Sequence, residues 1–119
     1  MRKPLDLDTQ RPYALDQLTL FQSQIMQSVQ SMVVQRARIE KQRRSNIEAA
    51  RDTYTELDRA RGRLIEQLSK SELFLLEMEE YPLAAAADQL RRGFAGFNLM
   101  SMGYKPIYEA LAKFTASFP

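Results

Sequence analysis

Apolar residues recur at three- and four-residue steps from about Tyr13 onward, so that Leu18, Phe21, Ile25, Val29, Met32 and Ile39 fall on one broad helical face. The opposite face carries Gln22, Gln24, Gln27, Gln30 and Gln35, as an exposed helix surface requires. Farther on, Ile47, Ala50, Tyr54, Leu57, Arg61, Leu64, Leu68, Ser71, Leu75 and Met78 follow alternating steps of three and four, the spacing of heptad a and d positions. Arg61 and Ser71 interrupt this stripe, and polar residues in such a seam lower stability while fixing register.

The two stripes do not join in phase. Between Ile39, Arg43 and Ile47 the apolar face rotates around the helix. A helical hairpin would explain the rotation, and Ser45-Asn46-Ile47-Glu48 has the Ser-x-x-Glu form of a capping box at a helix start. The same form recurs at Thr53/Glu56 and Ser69/Glu72, however, and neither glycine nor proline occurs between Tyr13 and Arg61. The pattern therefore predicts one long, continuous or slightly bent helix over about 14–80, with a hairpin broken near 44–46 as the alternative.

Pro82 closes that helix, because proline disfavours helical geometry in the residue before it, and it opens a short helix to Arg92. Gly93 and Gly96 loosen the chain, and Gly103 with Pro106 resets it for a last helix through about Ser117. The fold class expected is all-α. Residues 1–12, which contain Pro4 and Pro12, read as an extended arm, and 13–119 as one helical domain, divided into a long region over 13–80 and a compact tail over 82–119. The candidate core joins Leu83, Leu90, Phe94, Phe97, Leu99, Ile107, Leu111 and Phe114 to Leu73, Phe74, Leu76 and Tyr81.

Composition narrows the chemistry. With 119 residues, one domain is expected. Histidine, cysteine and tryptophan are absent, which removes disulfides, thiolate or imidazole metal sites, cysteine nucleophiles and histidine bases. No catalytic residue, cofactor or metal is expected on these grounds. The start, Met1-Arg2-Lys3-Pro4-Leu5-Asp6-Leu7-Asp8, interrupts with acidic residues the apolar run a secretory signal needs, and an intracellular, soluble setting is expected.

Net charge is only +2, but Arg36, Arg38, Lys41, Arg43 and Arg44 crowd into one stretch, whereas Glu72, Glu77, Glu79 and Glu80 form an acidic one. The basic patch suits phosphates of a nucleic acid or an acidic protein surface, including a second copy of the chain. A second candidate surface is the apolar, glycine-bearing segment of Phe94, Phe97, Leu99, Met100, Met102 and Tyr104, where methionine and phenylalanine suit an adaptable contact.

The run Leu57-Asp58-Arg59-Ala60-Arg61-Gly62-Arg63-Leu64-Ile65-Glu66-Gln67-Leu68 resembles the long first helix of all-helical chorismate mutases, about a tenth of the chain. That resemblance implies arginines that bind a dicarboxylate, although Gly62 and the residues downstream depart from the family's pattern.

Together these features lead to the expectation of a non-catalytic adaptor, chaperone or structural subunit. Its partner, a second copy or a larger assembly, would be held along a seam of Ile47, Tyr54, Leu57, Arg61, Leu64, Leu68, Leu75 and Met78. Nucleic-acid binding through the basic patch is the alternative.

Overall fold

In the computed structural model, residues 11–96, 99–100 and 104–119 are described. They form four helices and no strand: α1 Arg11–Gln42, α2 Ile47–Glu77, α3 Tyr81–Ala95 and α4 Tyr104–Ala116. The fold is all-α. Residues 1–10 of the expected arm lie outside the described residues, while Arg11 and Pro12 already belong to α1. None of the described helices is long and apolar enough to cross a membrane.

The expected continuous helix over 14–80 is instead a helical hairpin, turning at 43–46. The turn needs no glycine, because its amides collect the free carbonyls at the end of α1: Arg43 N bonds Ile39 O at 2.9 Å, while Ser45 N and Asn46 N both bond Gln42 O, at 3.0 and 2.7 Å. Asn46, extended at φ −150°, caps α2 by accepting from Ala49 N at 3.1 Å. The cap is thus Asn46, one residue beyond Ser45. Replacing Asn46 with alanine is expected to lower stability by about 1 kcal/mol in urea denaturation.

The hairpin closes around the two stripes. From α1, Leu18, Phe21, Ile25, Val29, Met32 and Ile39 are all buried. The buried residues of α2 are Ala50, Thr53, Leu57, Ala60, Leu64, Leu68, Ser71 and Leu75, with Met78 just beyond. The expected seam is therefore corrected at three positions: Ile47 is 58% exposed, Tyr54 is 43% exposed, and Arg61 lies at the edge. Thr53 and Ala60 take the inward places, since small side chains let the two helices approach while their larger neighbours turn to solvent. Three buried hydroxyls of the hairpin are satisfied: Thr53 Oγ1 lies 2.6 Å from Gln42 Oε1, the Ser28 hydroxyl donates to Gln67 Oε1 at 2.8 Å, and the Ser71 hydroxyl donates to Gln67 O at 2.8 Å. At the open end, Phe74 packs against Phe21 with ring centroids 5.5 Å apart.

α2 ends in a Schellman turn, with Glu80 N bonding Leu75 O at 2.8 Å and Glu79 N bonding Leu76 O at 3.1 Å. Glu79 holds the left-handed position at φ 62°, where a β-carbon is crowded. Glu79→Gly is expected to raise stability by about 0.5–1 kcal/mol, the relief of that strain exceeding the added chain entropy. Pro82 then sits in the first turn of α3, where its missing amide costs nothing.

α3 packs on α2, and α4 on α1, while α3 and α4 touch each other least. The bundle measures 57 × 25 × 20 Å. With 15 and 13 residues, α3 and α4 flank only part of the hairpin, so its tip stands clear as a two-helix projection. Phe94, Leu99, Leu111 and Phe114 are buried, and Leu83, Leu90 and Phe74 pack against them partly exposed. Leu73, Leu76 and Tyr81, expected in the core, are exposed, because each lies on the side of its helix away from the bundle. Phe97 and the side chain of Ile107 lie outside the described residues.

Candidate ligand cleft

The basic patch divides. Arg36 turns back along the bundle and donates to the Met100 carbonyl at 3.3 Å, leaving Arg38, Lys41, Arg43 and Arg44 exposed at the hairpin tip. Arg43 pairs there with Glu40 at 3.4 Å. The acidic residues Glu77, Glu79 and Glu80 sit at the other end of α2, a helix of 31 residues and so about 46 Å away. The chain's two charge poles are its two ends.

The glycine-bearing segment closes the bundle where it is described: Phe94 and Leu99 are buried and Met100 is partly so. Phe97, Met102 and the side chain of Tyr104 lie outside the described residues. The arginines of the chorismate-mutase-like run form no anion pocket. Arg59 pairs with Glu56 at 2.6 Å and Arg63 is exposed, both on the solvent side of α2, while Arg61, at the edge of the packed face, pairs with Asp58.

The space suited to a small molecule lies elsewhere, where α3 and α4 diverge. A cleft of about 580 Å³ opens between them, within the range of ordinary ligand pockets. Its α3 wall is built by Leu83, Ala86, Gln89, Leu90, Gly93 and Phe94, which recur at helical spacing. Pro106, Ala110, Lys113, Phe114 and Ser117 build the α4 wall. The room comes from small residues. A β-carbon added at Gly93 would meet no atom within 4 Å, so packing does not require glycine there, and its φ is not in the left-handed region. Gly93 weakens α3 relative to alanine and leaves the cleft wider.

The charges of α3 are drawn together. Asp88 pairs with Arg91 and, at 3.0 Å, with Arg92. The hydrogen bond from Arg91, more than the charge of Arg92, holds the Asp88 carboxyl below its ordinary value against the opposing effect of desolvation. None of these three residues lines the cleft, whose one charged group among the described residues is Lys113.

The described residues thus form an all-helical bundle with an apolar cleft between two of its helices, a place where ligands commonly bind in such bundles. The particular family follows from comparison: residues 6–119 match the model of the uncharacterised methyltransferase family DUF6094, and the chain belongs to that family. No curated protein and no solved structure matches the chain.

The family overturns the expectation of a non-catalytic adaptor, chaperone or structural subunit, and with it the chorismate mutase alternative and the reading of the protein as no enzyme. The physical reason is that group transfer can rest on positioning two reactants, so the lack of histidine and cysteine does not exclude it. Of the seam on which that expectation stood, Leu57, Leu64, Leu68, Leu75 and Met78 are buried in the chain's own core.

Methyltransferases commonly draw on S-adenosylmethionine, a cationic sulfonium nucleoside. Among the described residues the cleft does not fit it: a lysine is the charged lining group, no carboxylate faces in to offset a sulfonium, and there is no strand to carry a glycine-rich phosphate or nucleoside loop.

Proposed function

We propose that the protein works in methyl transfer and that the α3–α4 cleft binds the methyl acceptor. The family membership supports the reaction class, and the observation that carries the assignment of the site is the apolar cleft of about 580 Å³ widened by Gly93. An acceptor held against Leu83, Leu90, Phe94 and Phe114 loses part of its freedom to tumble, which is how positioning contributes to such a reaction.

The test uses a cell extract supplied with tritium-labelled S-adenosylmethionine. Added protein is expected to speed the entry of tritium into the apolar small-molecule fraction. The Gly93→Leu variant, with the cleft filled, is expected to leave the rate at background. An entry rate that wild-type protein does not change, or that both proteins raise equally, contradicts the assignment.

A further inference from the structure

The charge of the cleft narrows what it accepts. Lys113 lines it from α4, and no ion pair holds this lysine among the described residues. Glu109, one turn earlier on the same helix, is exposed and makes no ion pair with it. On the facing helix Arg91 and Arg92 are engaged with Asp88 outside the lining, so among the described residues the cleft contains one cation and no counter-charge of its own. A lysine lays its methylene stem along apolar neighbours and keeps its ammonium at the water's edge, here beside Phe114 and Ala110. Gln89 on the opposite wall adds an amide that donates as well as accepts.

We propose that the occupant of the cleft is an apolar anion, a hydrocarbon or ring body bearing a carboxylate, with Lys113 at its head and the Leu83, Leu90, Phe94 and Phe114 walls around its body. This rests on the reading of the cleft as the acceptor site and names its substrate class. The sequence pattern alone did not disclose it, because Lys113 falls on an otherwise ordinary amphipathic helix and the opposite wall comes from α3.

Three probes of equal chain length separate charge from shape: decanoate, decanol and decyltrimethylammonium, titrated into the full chain by calorimetry at pH 7. Decanoate is expected to bind roughly three- to fivefold more tightly than decanol, the modest preference of an exposed ion pair, and the cation is expected to bind most weakly. Lys113→Met keeps an apolar stem without the charge, and it is expected to bind decanoate and decanol alike. Equal binding of the two by wild-type protein, or a preference that survives in Lys113→Met, overturns the anion assignment and leaves the cleft in place. Binding of none of the three overturns the cleft as a ligand site, and with it the acceptor reading.

Discussion

Replacing Leu64 with alanine is expected to destabilise the protein by about 2–5 kcal/mol, the range for removing a fully buried leucine and leaving a cavity. Leu64 is 0% exposed in the interface of α1 and α2, the longest packed surface of the molecule. In a chain of this size the loss corresponds to a fall in Tm of roughly 8–20 °C. Tyr54→Ala is the matched control, since Tyr54 belongs to the same heptad pattern but is 43% exposed; its effect is expected to stay within about 0.5 kcal/mol. Urea denaturation followed by circular dichroism measures both. Equal losses at the two positions would show that α2 faces α1 through the Tyr54 side rather than through Thr53 and Ala60.

Gly93→Leu is expected to separate stability from function. Within α3 a leucine is favoured over glycine by about 0.8 kcal/mol of helix propensity, and its side chain enters open space, so the variant is expected to melt at or above the wild-type temperature. The same side chain occupies the cleft, and retention of ligand is expected to fall by about tenfold or more, because it takes the volume the ligand would fill. A gain in stability paired with a loss of binding is the pattern expected where a protein keeps space for a ligand at the expense of its own packing. Gly62→Ala offers a comparison on the solvent face of α2: a similar gain in stability, with ligand retention unchanged.

Periodicity read α1 well, because its six inward positions are large and apolar and nothing competes for the face. On α2 the same reasoning slipped by one residue at two places. Tyr54 and Arg61 continue an unbroken heptad rhythm, yet Thr53 and Ala60 are the residues that pack, since a close helix approach selects small side chains that a count of apolar positions undervalues. The turn was visible as a rotation of the stripe, and Ser45 was the nearest capping residue by pattern. Asn46 holds the place because its extended backbone aims the side-chain oxygen at Ala49 N.

The cleft was the hardest feature to foresee. It is made by what Ala86, Gly93 and Ala110 lack, on two helices separated by a loop, and only their arrangement in space turns three small residues into a cavity. The family lay beyond reach for another reason: no motif in the chain spells it out, and the match over residues 6–119 supplied it.

The measurement that tests the central claim most directly is mass spectrometry of the small molecules that co-purify with the protein and with Gly93→Leu. A methyl-acceptor site is expected to retain a pair of compounds differing by one CH2, acceptor and product, and the filled variant is expected to lose both. Retained compounds that form no such pair, or a pair held equally by Gly93→Leu, would contradict the assignment of the α3–α4 cleft to the methyl acceptor.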